Sequence, residues 1–390
     1  MIRRVRLYTA AVPMAAAFDH ATRSRRAAES LLVEVELDGV RGWGEGAPRG
    51  YVTGETLDSA ARAIENCDPA ALAERIDWQT FDLAVASVAA LPPGGLADGP
   101  SAAAAMEIAL LDAVCRHFGR PLADVLRVLD PPDRVLRNGP THVSLVIHLT
   151  QDVASVLDAL PPDTVAALRH VKVKVADPSD AVLRLARARE RLPRETAVSL
   201  DANGAWSITD TERIAGELAG AAWVEEPLPP RSWTELARLR QATGLPVMLD
   251  ESCTGPGDLR TAATTGAASH VNVRLSKCGG FLAAARLALR ADALGLGCQL
   301  GVHVAEVGPL WAAGRALATA WGLWRTVEAG RADEWFPTPL TRPAFAADRS
   351  LYRVEPLAGP GTGVEPSVEL LRHTRRLATW EPRGAWREAA

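Results

Sequence analysis

Asp201, Glu225 and Asp250 each close a short apolar run, and they stand 24 and 25 residues apart in this 390-residue chain. That interval is close to one strand-plus-helix unit, so three successive strands would each deliver one carboxylate at the same end. Three oxygen donors without a convergent Cys or His are what a hard cation such as Mg2+ prefers, with Mn2+ as a possible substitute. Just ahead of them, Val171-Lys172-Val173-Lys174-Val175 alternates Val with Lys, and strand geometry puts both ammonium groups on one face. A buried strand tolerates such charges only when they meet one another or a metal. Beside a divalent cation and each other, the two ammonium pKa values are expected to fall, which suits general-base work near neutral pH. One lysine is read as the base and the other as a structural partner of Asp201 or Glu225.

A second group follows. Parity in the run after Ser269 puts Asn272, Arg274 and Ser276 on one strand face, with Val271, Val273 and Leu275 on the other. His303 ends the next apolar run, in Gly301-Val302-His303-Val304-Ala305-Glu306. An imidazole beside a guanidinium has its pKa lowered, which favours a neutral base or proton relay. Glu306 and Glu328 are weaker partners for it.

The elements that must position these groups can be read from the same stretch. Candidate strands over 142–148, 169–175, 197–201, 222–226, 246–250, 270–275, 297–302 and 323–328 alternate with helical stretches such as Ala181 to Arg191 and Leu282 to Leu294. Alternation of this kind implies a parallel sheet, and about eight units fit a closed (β/α)8 barrel, whose strand C-termini form the catalytic face. The rival, an open doubly wound sheet, wants a Gly-rich phosphate turn after an early strand, and none is present.

Residues 1 to about 125 read as a small α+β domain. Leu31 to Leu37 alternates as a half-buried strand, and Asp38-Gly39 is a hairpin turn signal. Ser101 can cap a helix running from Ala102 to Phe118, with Met106, Leu110, Ala113 and Val114 as its apolar stripe. Two polar loops stand out. Phe18 to Arg26 carries Arg23, and Pro48 to Glu55 carries Arg49 and Tyr51. Such loops on a rigid scaffold are where ligand contacts tend to sit. Beyond the Gly/Pro-rich segment Gly359 to Gly363, the tail is expected to pack back on this first domain.

A net charge of −4 gives no electrostatic case for nucleic acid or membrane binding. No apolar run approaches the roughly 20 residues of a membrane span. The Ala-rich start faintly imitates a secretion signal, but Tyr8 and Pro13 interrupt it, and a first strand is the preferred reading. Five scattered cysteines without a CxxC fit a reduced cytoplasm.

Taken in order, Lys-x-Lys at 172–174, Asp-x-Asn at 201–203, Glu-Glu-Pro at 225–227, Asp-Glu-Ser at 250–252 and Lys-x-Gly-Gly at 277–280 resemble the enolase superfamily. The likeness is greatest to its muconate-lactonizing-enzyme-like branch and covers nearly the whole chain. It implies an α+β capping domain over 1–125, a modified (β/α)8 barrel over 126–340, and a tail over 341–390 that completes the cap. It implies Mg2+ held by Asp201, Glu225 and Asp250, and abstraction of the proton α to a carboxylate to give a metal-stabilised enediolate. By the same resemblance Lys174 is the base, Lys172 supports it, and the two polar loops choose a small carboxylate substrate. The expected substrate contacts are Asn203, Arg23, Arg49, Tyr51 and Glu306, and the expected assembly is a homo-oligomer.

One position departs from the branch. Many of its members carry a second catalytic lysine on the sixth strand, where this chain has Arg274. A guanidinium is a poor base but can pin a carboxylate or stabilise an enolate. The leading expectation is therefore a one-base lyase, dehydratase or cycloisomerase. The alternative is a racemase or epimerase of a small carboxylate or N-substituted amino acid, using Lys174 and His303 on opposite faces. A catalytically silent binding protein on the same fold is the third reading.

Overall fold

The structure, a computed structural model, describes residues 2–20, 23–91, 98–304, 306–330, 335–382 and 384–389; for 16–20 and 23–25 only the backbone is described. Among the described residues no helix is long and apolar enough to cross a membrane.

The cap is built on a five-stranded antiparallel sheet. Its spatial order is Arg387–Glu388, Thr374–Trp380, Ile2–His20, Arg23–Leu37 and Val40–Gly46, so the tail supplies the strand beside the first. The alternation in the second strand buries Leu31, Val33, Val35 and Leu37 against the cap's helices. Asp38 and Gly39 both take positive φ (40° and 91°), as a tight hairpin requires. On the third strand, Gly42, Gly44 and Gly46 form a rail for the long cap helix Pro100–His117. A Cβ at these three positions would fall 2.0–2.2 Å from the carbonyl oxygens of Ala109, Ala105 and Ser101. Helix and sheet therefore meet backbone to backbone.

Two expectations are corrected here. The Phe18–Arg26 segment belongs mostly to a hairpin arm rather than a free loop, because the ladder between the first two strands continues to His20↔Arg23. The Arg23 side chain itself lies outside the described residues. Ser101 does not cap the long helix. Gly99 is its N-cap, and the Glu55 carboxylate takes the Ser101 and Ala102 N–H groups instead.

The barrel has eight strands in sequence order: Leu145–Ile147, His170–Lys174, Ala197–Asp201, Val224–Glu225, Val247–Leu249, His270–Val273, Gly297–Leu300 and Trp324–Val327. Every neighbouring pair is parallel. The Ser144 N–H donates to the Val327 carbonyl at 2.8 Å, which joins the first strand's start to the eighth strand. Strand parity turns Val171 and Val173 into the main apolar cluster, and Lys172 and Lys174 into the barrel interior.

Candidate active site

Register places the chemistry. Lys174 pairs with Asp201 and Asp201 with Glu225, so three charged residues sit at one level on the second, third and fourth strands. Asp250 follows directly after the fifth strand. All three carboxylates are buried.

The two lysines separate into different roles. The Lys172 ammonium lies 3.1 Å from Asp201, 2.9 Å from Glu225 and 3.2 Å from Glu328. Burial alone would lower its pKa, but the carboxylates Asp201, Glu225 and Glu328 outweigh burial and drive it above the ordinary lysine value. The expected fall is therefore corrected for Lys172: it is a locked cation at the centre of a carboxylate cluster. Lys174 has fewer partners. Its Nζ donates to Asp201 Oδ2 and to Asn203 Oδ1, both at 3.0 Å. Asn203 thus orients the candidate base from a left-handed turn, with φ 47°.

On the far side, Lys277 is fully buried and donates to Asp250 Oδ1 at 2.9 Å and to the Asp250 and Asn272 carbonyls. The Arg274 guanidinium makes a close ion pair with Asp250 Oδ2 and approaches Glu225 at 3.9 Å. Asn272 and Gln299, from the sixth and seventh strands, donate to the two Glu225 oxygens at 2.9 and 3.4 Å. Ser276 faces outward to the cap, accepting the Ala47 N–H at 2.9 Å. Glu226 and Glu251 complete the acidic set, and burial pushes them up to about 7 and about 8.

Among the described residues no three acidic, His or Cys side chains converge as a ready metal cage. Lys172, Lys174 and Arg274 hold the carboxylate oxygens instead. The donor set nonetheless fits a hard divalent cation. Asp201, Glu225 and Asp250 are three buried carboxylates delivered by successive strands, an all-oxygen set with no Cys or His among them.

The remaining expected residues spread further. His303 is buried, and among the described residues neither ring nitrogen has a hydrogen-bond partner of good geometry. Burial first, then the charges of Arg274, Arg49 and Lys277, hold its pKa well below the ordinary value. Glu306 accepts the His303 backbone N–H at 2.8 Å and lines a separate, largely apolar cavity of ≈ 330 Å³ with Trp311 and Phe336. Arg49 is spent on the cap and its neighbour loop: its guanidinium donates to the carbonyls of Glu29, Pro48 and Val304. Tyr51 does line the site, together with Val146, His148, Lys172, Lys174, Asn203, Arg274, Val302, Val304, Glu328 and Trp335. His148 and Trp335 meet edge to face at 5.6 Å. Sequence reasoning missed these two, because nothing local marks a His after the first strand and a Trp after the eighth as neighbours. The cavity itself is small, ≈ 50 Å³, well under the several hundred typical of a ligand site.

Residues 2–126 match the model for the mandelate racemase/muconate lactonizing enzyme N-terminal domain, and residues 162–370 match the enolase C-terminal domain-like model. The chain belongs to the enolase superfamily. Within that superfamily it is 26% identical over 313 residues to the N-succinyl-L-Arg/Lys racemase of Bacillus cereus, covering 78% of this chain and 80% of the relative. Other similar relatives are dipeptide epimerases. Among solved structures, the 2-chloromuconate cycloisomerase of Rhodococcus opacus superposes with a TM-score of 0.76 at 25% identity, covering 96% of this chain and 99% of the other. A dipeptide epimerase of Cytophaga hutchinsonii, complexed with Mg and D-Ala-L-Val, superposes with a TM-score of 0.76 at 21% identity, covering 97% and 99%. As an enolase-superfamily enzyme, the chain has a fold whose members bind Mg2+.

Proposed function

We propose that this enzyme racemises or epimerises an N-acylated or N-aminoacylated amino acid by proton transfer at the carbon α to its carboxylate. The observation that carries the reading is that Lys174 and Arg274 line one pocket from the second and sixth of eight strands, four strands apart and so on opposite sides of the barrel. The racemase and epimerase relatives favour it over the one-base elimination expected from Arg274 alone.

Asp201, Glu225 and Asp250 would hold Mg2+, which when bound supplies a Lewis acid for the substrate carboxylate. Lys174, steered by Asn203, takes the α-proton on one face. Lys172 stays charged and holds the carboxylates of Asp201, Glu225 and Glu328 together around its ammonium group. On the other face Arg274 presents a fixed positive charge toward the developing enediolate, and the proton on that face would be exchanged by His303 only if its ring turned into the pocket, which it does not line here. Val146, Val302, Val304, Trp335 and Tyr51 form an apolar wall that suits a hydrophobic side chain.

The test is incubation of L- and D-configured N-acyl amino acids and dipeptides in D2O with Mg2+, followed by NMR and chiral separation. Interconversion with α-deuteration of both configurations supports the reading. Deuteration of one configuration only, with loss of a β-group or ring closure, would establish the one-base lyase or cycloisomerase. That second reading is favoured by one observation: His303 is not among the residues lining the pocket.

A further inference from the structure

We infer that Glu45 and Glu107, two buried carboxylates of the cap, are positioning residues that seat the sixth- and seventh-strand half of the active site. Both act on barrel helices that lack a cap of their own. The helix after the seventh strand, Pro309–Ala320, begins at Gly308 with no side-chain N-cap bond. Glu45, at the end of the third cap strand, reaches across and accepts the N–H groups of Val307 at 2.6 Å and of Gly308 and Leu310 at 3.1 Å. Ser30 Oγ donates to the same carboxylate at 2.9 Å, so it is held from the cap side as well.

The helix after the sixth strand, Phe281–Ala293, repeats the arrangement. It starts at Gly280 without a side-chain cap, and Glu107 of the long cap helix accepts the Leu282 N–H at 3.1 Å. Orphan N–H groups at a helix start favour an incoming carboxylate both by hydrogen bonding and through the helix dipole. Gly280 is the residue that makes room, since a Cβ there would lie 2.1 Å from Glu107 Oε2.

The consequence is local. Arg274 and Lys277 precede one stapled helix start, and Val302, His303 and Val304 precede the other. Two further cap contacts grip the same half: Ala47 N–H to Ser276 Oγ at 2.9 Å, and Arg49 to the Val304 carbonyl at 2.7 Å. The cap therefore does more than offer loops over the mouth. It sets where the far-face groups stand relative to Lys174.

The inference can be tested without knowing the substrate. Glu45→Gln, Glu107→Gln and Arg49→Met would be compared by hydrogen–deuterium exchange of the full-length protein. Exchange should rise about tenfold or more at His303, Glu306, Val307 and Gly308 in E45Q and R49M, and at Phe281 and Leu282 in E107Q. Amides of the second and third barrel strands should keep their protection, and Mg2+ affinity by calorimetry should hold. With a turned-over N-acyl amino acid or dipeptide, interconversion of configurations should fall about tenfold or more, while α-proton wash-out by Lys174 persists. Exchange that rises evenly over the barrel, or does not rise at all, overturns the inference, as does an equal loss of wash-out and interconversion. Should either Gln variant fail to fold, Glu45→Asp or Glu107→Asp, which keeps the charge but draws it back from the helix start by one methylene, carries the same test.

Discussion

Lys172 and Lys174 are two residues apart on one strand face, yet their surroundings give them opposite tasks. Lys172 is enclosed by three carboxylates, whereas Lys174 keeps two partners and borders the pocket. Lys174→Ala is expected to lower α-proton exchange ~10²–10⁴-fold with the fold intact, as read by NMR in D2O. Lys172→Met should instead cost about 3–5 kcal/mol of stability, because it strands buried carboxylates, and urea denaturation measures that loss. Arg274 poses a third case. Its guanidinium occupies Asp250, the same carboxylate proposed for the cation. Arg274→Met should therefore tighten Mg2+ binding, on the order of tenfold by calorimetry, while depressing interconversion of configurations. Weaker Mg2+ binding in that variant would show that Arg274 orders the site rather than competing for it.

At the scale of elements, the glycines and buried carboxylates form one system. Gly280, at φ 132°, exists beside Glu107 because no side chain fits there. Gly280→Ala is expected to destabilise by about 2–4 kcal/mol in chemical denaturation. The Glu107 carboxyl also couples this joint to pH. Burial pushes it from an ordinary 4.5 up to about 7, against the Leu282 and Phe281 N–H groups and the Arg286 charge. Because the folded value is the higher one, its stabilising share is fully present below the ordinary value and is lost as pH rises through about 7. Wild type should therefore lose up to ~3 kcal/mol relative to Glu107→Gln between pH 5 and pH 8. A constant difference across that range would assign the carboxyl an ordinary pKa.

On the scale of the whole molecule, the chain's two ends share one sheet. Thr374–Trp380 pairs with the first strand, Trp380 is buried, and Arg4 bonds Glu381 at 2.7 Å. A chain ending before residue 374 leaves that edge open and uncovers apolar cap surface. It should melt about 5–10 °C lower, or aggregate, and calorimetry with light scattering distinguishes the two.

How much of this was legible from residue order follows from the range of each interaction. The eight strands, the carboxylates one unit apart and the inward lysines were all readable, because parallel strands repeat at a fixed spacing and side chains alternate with period two. The hairpin turn at Asp38-Gly39 was readable for the same local reason. The sequence also marked Arg274 as a departure, since its position in the motif is a matter of spacing alone. The tertiary structure alone decided what each charge meets. Lys172 was expected to lose proton affinity and instead gains it, because Asp201, Glu225 and Glu328, delivered by three other strands, close around its ammonium group. Arg49 was expected to bind substrate and instead holds three carbonyls, one of them Val304. Glu45 and Glu107 carry no signal in their neighbours, because the helix starts they cap lie far along the chain. Local periodicity determines which residues face inward. Long-range packing determines which of those charges find each other, and so which are free to do chemistry.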